Sequence, residues 1–505
     1  LREFVVTIRE ALTQGLRPTR ETYGHQQFLE ECYNVVPEAT GLTAYVPPTD
    51  PFNGGMQTNW PWPQAFLLQT DSILLEEQSL STLNVSSVPW TVSAQATSGS
   101  IPSGGGAWHI ADFGESWFAF KGNCTVFKTG VHRATGGAAK YYANSSVPIQ
   151  TGTNYKGRCV IGGFQSGSFW PSEFTSIFSD WQQDAADGNT TYQFDDIGRN
   201  WVAWSSVGEV EFPLWLFFPD SDIPYDIGPT KENLLRRMRR NELGFMPMPY
   251  PGKIQAIHQL GDRLIVYSDD GISVMESAQA EVAPFTFGAE KLARLSLLDR
   301  NGVAVGPGRH LFVSGQGKLW SLDQSLELEM LDYSEYLSSL AGTGINAWYN
   351  DQEEEFHFTN AISGFAFGAT GLYEHRDHLT FALTKGGNWY GLSHSPATSE
   401  VQVVTNRTDM SLSARKRINN THVAHRQGDL KARHLYTLDT TQASFSTLPF
   451  QPLNKEGVLH QRVSGLEFKV EVLGSLPQDG MIQGVSMRYN VEDKRAIRGI
   501  FQDAG

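Results

Sequence analysis

The sequence predicts an all-β protein, with β-propeller-like repeats of about 46 residues, an N-terminal arm and a C-terminal β module. Composition is the first reason. Charged residues make up 18% of the chain, glycine 49 of its 505 residues and aromatics 12%, which suits strands and turns better than helices. The second is residues 252–275, GKIQAIHQLGDRLIVYSDDGISVM, which read as three strands joined by turns at Gly261-Asp262 and Asp270-Gly271. Asp-Gly between β-type runs signals a hairpin because its glycine takes positive φ without strain. Recurrence is the third. Residues 264–268 followed by Gly271 are echoed by residues 310–314 with Gly317 and by residues 356–360 with Gly364; a further step of 46 residues reaches Asn406. Self-similarity at that period, with a few strands per unit, is the signature of propeller blades.

Taken in order, residues 1–60 predict a short helix at 3–14, ended by Gly15, and then an extended arm. Pro37, Pro47, Pro48 and Pro51 exclude a long helix there and disfavour a central strand. Residues 61–245 read as a β-rich region. It includes paired strands at 65–68 and 73–75, a glycine-rich loop at 98–106, and a hairpin joining 116–120 to 125–127 around Gly122-Asn123. A basic helix at 231–242 closes it, with Thr230 as cap, Gly244 as stop, and Leu234, Leu235, Met238 and Leu243 as apolar stripe. Arg236, Arg237, Arg239 and Arg240 cover its other side, either as a docking ridge or as a solvated face. Residues 246–450 carry the propeller-like repeats and 451–505 the C-terminal module, where Leu466, Phe468, Val470 and Val472 alternate as a half-buried strand does.

The formal net charge of −15 argues against sequence-specific DNA binding, which needs a basic patch. Cys32, Cys124 and Cys159 are too few for a disulfide framework and read as buried thiols of a protein made in a reducing cytoplasm. No secretory leader is expected at the start, and the longest apolar run, residues 214–218, is far short of a membrane span.

No catalytic residue, cofactor site or metal site emerges. Walker, dinucleotide, nucleophile-elbow and HExxH motifs are absent, and Ser166 and Ser314 read as turn serines. The pairs His375/His378 and His422/His425 fall on strand or loop and lack further ligands. Asp220, Asp222 and Asp226 surround Pro224, which spoils a calcium loop. Asp269-Asp270 and Glu353-Glu354-Glu355 sit in hairpin turns, as solvated acids or as the carboxylates of a glycan-active propeller hydrolase. Trp117, Phe118, Phe120, Trp320 and Trp348 read as core or interblade packing before sugar platforms.

Three stretches, MPMPYPGKIQAIHQLGDRLIVYSDDGI, EEEFHFTNAISGFAFGATGLYE and GVSMRYNVEDKRAIRGIF, resemble structural proteins of tailed bacteriophages, in particular the β-rich tail-tube or nozzle components of short-tailed phages. The resemblance covers residues 246–505 and is carried most by Asp493, Arg495, Ile497, Arg498 and Gly499 after a tyrosine-ended strand. It implies a non-enzymatic virion protein of the tail, assembled in the host cytoplasm. Its implied partners are further copies of itself in a ring, commonly hexameric, the portal, adaptor and other tail proteins, and the DNA that passes through. Asp269, Asp270, Glu353, Glu354 and Glu355 then become the candidate acidic lining of a channel for genome ejection. A receptor-binding fibre or spike component and the propeller hydrolase are the alternatives.

Overall fold

Short runs of β-branched and aromatic residues, punctuated by Gly, Asn and Asp turns, fold here into antiparallel meanders. The computed structural model describes residues 3–9, 11–17, 29–45, 64–69, 71–86, 91–106, 108–114, 116–128, 141–144, 149–164, 199–207, 244–278, 286–341, 344–351, 353–360, 363–375, 382–385, 388–389, 399–410, 412–441 and 444–492. The expected helix at 231–242 with Arg236, Arg237, Arg239 and Arg240 lies outside the described residues, as do Ser166, His378, residues 493–505 and the Asp220, Asp222, Asp226 loop.

Among the described residues, six four-stranded meanders follow one another along the chain. Blade 1 comprises Gln64–Leu67, Ser72–Leu75, Leu80–Asn84 and Thr91–Ala94, and blade 2 His109–Asp112, Trp117–Phe120, Thr125–Lys128 and Tyr141–Asn144. Blade 3 is Thr151–Tyr155, Arg158–Gly162, Trp201–Trp204 and Gly244–Pro247, and blade 4 Ile254–Leu260, Arg263–Ser268, Ile272–Ala278 and Thr286–Ala293. Blade 5 is Val303–Gly306, Arg309–Val313, Leu319–Asp323 and Leu328–Asp332, and blade 6 Asn346–Asn350, Glu355–Thr359, Gly364–Gly368 and Gly371–His375. The repeat thus begins well before residue 246, in the region read from sequence as a separate β-rich unit. The residue after the second strand marks the equivalence. The amides of Glu76, Lys121, Ser268, Ser314 and Asn360 each donate to a carbonyl three or four residues on, at Ser79, Cys124, Gly271, Lys318 and Ser363.

Neighbouring blades share apolar cores: Phe66 and Ile73 with Trp108 and Trp117, Val160 and Trp204 with Ile257 and Leu264, and Ile265 and Tyr267 with Val303 and Phe312. Polar clips lock the same seams. Asn154 Nδ2 donates to the Asp112 carbonyl at 2.8 Å, the Tyr155 hydroxyl donates to the Asp262 carbonyl, and Arg263 Nη1 donates to the Gln324 carbonyl at 3.1 Å. Gly152 lets blade 3 approach blade 2 this closely, since a Cβ there would stand 2.4 Å from Phe120 Cε2. The ring closes differently. Between blades 6 and 1 a wedge of two short strands, Ala382–Lys385 and Asn388–Trp389, pairs in parallel with Gln64–Leu67 on one side and Asn346–Asn350 on the other.

The two ends of the chain build a β-sandwich on the outer edge of blade 6. One sheet holds Phe4–Ile8, Val35–Glu38, Gly41–Ala44, Lys416–Arg426, Val458–Leu459, Val463–Gly465 and Met481–Val491. The other holds Leu29–Tyr33, Ser399–Thr405, Asp429–Thr437 and Glu467–Leu476, and continues into blade 6 where Tyr33 pairs with Glu374. Ile418, Val423, Val485, Ala432, Val470 and Val472 share one core. Phe468, Val470 and Val472 point inward, as their alternation predicts.

Three expectations change. The helix expected at 3–14 is mostly strand: Phe4–Ile8 pairs with Val485–Tyr489, leaving one helical turn at Ala11–Gln14. Its Val-Val-Thr-Ile run alternates, Val5 at 60% exposed and Ile8 at 3%, and tertiary pairing overrides helical spacing. The arm is a sandwich hairpin over the described residues 35–44, with Pro37 in a strand at the sheet's edge, where its missing donor does no harm. Asn406, at the fourth step of 46 residues, follows a sandwich strand, Ser399–Thr405, that pairs with Leu29–Tyr33 and Glu467–Leu476, so the repeats stop short of residue 450.

Candidate functional site

The first strand of every blade faces the propeller axis, and together they enclose a cavity of about 1100 Å³. The meander fixes its two ends. Turns between first and second strands lie at one end, whereas second-to-third turns and the connections between blades lie at the other. Gln69, Gly157 and Gly261 rim the first end. The connection end is crossed by residues 299–301. Arg300 Nη2 donates to the carbonyls of Phe120 at 3.1 Å and Gln150 at 2.6 Å, and Asn301 Oδ1 bonds His109 Nε2, whose Nδ1 lies 2.7 Å from Thr151 Oγ1. Residues entering blade 5 therefore reach blade 2, which stands opposite in a six-fold ring.

This brace is dry. Arg300 is 7% exposed, and burial lowers its guanidinium to about 10, still cationic at neutral pH. Burial raises the neighbouring Asp299 carboxyl. It also holds the His109 imidazole well below its usual range, with Arg300 adding to the effect. Burial pushes His258 down to about 3 and His310 to about 4, so these rings are neutral. His310 is a fixed strut between blades 4 and 5: its Nδ1 accepts from the Tyr267 hydroxyl at 2.9 Å and its Nε2 donates to the Gln259 carbonyl at 3.0 Å.

The acidic turns do not form one surface. Asp269-Asp270 join the second and third strands of blade 4, whereas Glu353 and Glu354 join the first and second strands of blade 6. The two clusters therefore stand at opposite ends of the ring. Asp270 Oδ1 accepts from Arg294 Nη2 at 3.4 Å, and the Asp269 charge acts on Lys253, so basic neighbours offset that end. Glu353 and Glu354 are exposed.

Glu355 departs from the lining role because its side chain is turned inward, at 12% exposed. Gly364, Ala366 and Gly368 on the third strand of blade 6 leave a trough between the second and fourth strands. Glu355 and His357 lie in it from one side, Tyr373 and His375 from the other. A Cβ on Gly364 would meet His375 Cε1 at 2.5 Å, so the column of small residues is required. The Tyr373 hydroxyl donates to Glu355 Oε2 at 2.6 Å, His357 Nε2 stands 3.6 Å from the same oxygen, and His357 Nδ1 is 3.4 Å from His375 Nε2. Trp348 stacks on His357 at 5.3 Å and Tyr45 on His375 at 4.9 Å. Burial pushes the Glu355 carboxyl up to about 7 against the hydrogen bond from Tyr373, and burial lowers His357 to about 3. These nitrogens and oxygens face one another in a row rather than converging on a point, and no group able to hold a metal occurs among the described residues. His422 is exposed, and His425 Nδ1 lies 3.1 Å from the Val423 carbonyl within its own strand.

Sequence reading missed Arg300, Asn301 and His109, which belong to no motif and meet only because the ring closes. It found the repeat around His357 without its trough, although the small residues at 364, 366 and 368 were a visible signal.

No protein family matches the chain, and no curated protein does. Among solved structures, the chain is similar to PorZ, an essential bacterial surface component of the type-IX secretion system of Porphyromonas gingivalis, at 9% identity and a TM-score of 0.29. The likeness covers 73% of this chain, which spans 43% of the length of PorZ. It is also similar to a chain of the mitotic checkpoint complex at 10% identity and a TM-score of 0.31, covering 69% of this chain and 89% of that one. Likenesses at this level carry no argument about activity.

Proposed function

We propose that the chain is a non-enzymatic structural subunit of a ring in the tail of a tailed phage, a nozzle or tail-tube component around the path of the ejected genome. The cross-braced axis is the observation that carries this reading. Arg300 and Asn301 tie blade 5 to blades 2 and 3, which suits a stiff wall block. A brace there bars duplex DNA from the propeller itself, so the genome would pass along a lumen shared by several copies. The net charge of −15 fits such a lumen, because a densely basic wall would hold DNA phosphates by counterion release. The resemblance of residues 246–505 to nozzle and tail-tube proteins points the same way. A hydrolase is disfavoured: Asp112 is the one carboxylate among the described residues lining the cavity, and glycoside hydrolysis uses a pair. On this reading the partners are further copies, six being the expected number, with portal, adaptor and other tail proteins in the virion.

Light scattering with negative-stain microscopy of the purified protein tests the proposal. Closed rings with a continuous lumen are expected, alone or on addition of a portal–adaptor assembly. A trimer would favour a receptor-binding fibre, and a monomer that hydrolyses glycans would overturn the wall reading.

A further inference from the structure

One feature of the axial cavity wall, between its open mouth and its braced floor, points to a ligand. Below the rim, three polar side chains in the wall make no hydrogen bond to the described protein: the imidazole of His258, the carboxamide of Asn346 and the hydroxyl of Thr153. Asn346 is 6% exposed, so little besides the cavity is open to it. A buried carboxamide left without partners carries a desolvation penalty of roughly 1–3 kcal/mol, which a bound partner relieves. They come from blades 4, 6 and 3, so they surround the space instead of lining one side.

The charged groups of the wall are already engaged. Asp112 accepts the amides of Gln69 and Gly114, both at 2.9 Å, and Lys156 Nζ pairs with Asp262 at 3.0 Å. The ligand therefore meets no charged group in the wall that lacks a partner. Neutral imidazole, carboxamide and hydroxyl share one property: each can both donate and accept. An anion calls for donors and a cation for acceptors, whereas hydroxyl groups match all three in either sense. Aliphatic walls at Ile110, Ile257 and Val305 offer packing to C–H faces, and the volume lies just above the range of small-molecule sites, roughly 300–1000 Å³.

We propose that the axial cavity is a binding site for a neutral saccharide, entered from the rim at Gln69, Gly157 and Gly261 and held by His258, Asn346 and Thr153. The site is complete within one chain, so it does not depend on the ring. The test is saturation-transfer NMR followed by calorimetry on the full chain, with maltotriose, triacetylchitotriose and galactosyl-lactose as probes and sialyllactose and ATP as charged controls. At least one neutral trisaccharide should bind. Its affinity should fall tenfold or more in Asn346→Leu and in the more exposed Thr153→Val, with the melting temperature unchanged in Thr153→Val and unchanged or raised in Asn346→Leu. Should one variant fail to fold, the other still decides. Silence from all three neutral probes, preference for a charged control, or unchanged affinity in a folded variant would overturn the assignment. Ring formation is scored separately, so either reading can fail alone.

Discussion

The propeller and the sandwich solve the same problem, burying β-sheet faces, with opposite use of the chain. Every blade is a contiguous meander, and except where blades 6 and 1 close the ring its neighbours in space are its neighbours in sequence. The sandwich joins Phe4–Ile8 to Met481–Val491 and Leu29–Tyr33 to Ser399–Thr405 across almost the whole chain. The ring also keeps more of its buried neutral histidines, namely His109, His258, His310 and His357, whereas His434 is the corresponding group in the sandwich. Local construction around several neutral histidine struts therefore faces non-local construction around a core that holds one, beside such buried polar groups as Lys416, Thr421 and Glu471.

Acid should separate them most. Burial depresses His258 and His357 to about 3 and His310 and His434 to about 4. A folded-state value below the unfolded one near 6.5 gives stability that is present above that pH and lost as pH falls through it. Each group costs roughly 2 kcal/mol at pH 5. With three such groups against one, the ring loses roughly 6 kcal/mol and the sandwich roughly 2. Hydrogen exchange between pH 7 and 4.5 should show residues 254–359 losing protection before residues 416–491. The reverse order would break the comparison.

Next in size is Val472→Asp, which puts an unpaired carboxylate into the sandwich core and should cost about 4 kcal/mol or more. Exchange should rise in residues 399–491 and 4–44 while residues 254–332 keep their protection. Uniform loss would mean that propeller and sandwich melt as one unit.

Glu355→Gln is a smaller and oppositely signed probe. The folded carboxyl titrates near 7 against 4.5 in a free chain, so its contribution is complete below pH 4.5 and lost as pH rises through 7. The variant should equal the wild type at pH 4.5 and exceed it by about 3 kcal/mol at pH 8, read from thermal melts. A variant less stable at pH 8 would mean that the carboxylate is needed charged.

The smallest effect is expected at the surface. Arg294→Ala removes a pair whose arginine is 80% exposed and should change stability by less than about 0.5 kcal/mol in chemical denaturation. A larger loss would give the closed end a structural role that its exposure does not suggest.

Legibility in the sequence followed the same divide. The repeat could be read where spacing is regular, from Ser268 to Ser314 to Asn360, because hairpin chemistry is local. Blade 3 hid the earlier repeats: Arg158–Gly162 and Trp201–Trp204 are paired strands separated by a long insertion that destroys the period. Nothing local marks Val5 or Val6 as partners of Arg488 and Met487, so strand was mistaken for helix. Of the acidic residues, Glu353 and Glu354 stand exposed as their turn implies, while Glu355, next in sequence, faces inward because a strand alternates its faces and Gly368 leaves space beneath it.

The pairing of Phe4–Ile8 with Met481–Val491 has a consequence for biosynthesis. The strand Phe4–Ile8 waits for a companion made nearly five hundred residues later, which at roughly 5–20 residues per second is about 25 to 95 s. Throughout that interval a β-branched segment travels with bare amides and carbonyls while the blades close one by one behind it. Chains arrested between the last blade and residue 481 therefore hold Phe4–Ile8 without its partner strand, an edge open to pairing with other chains.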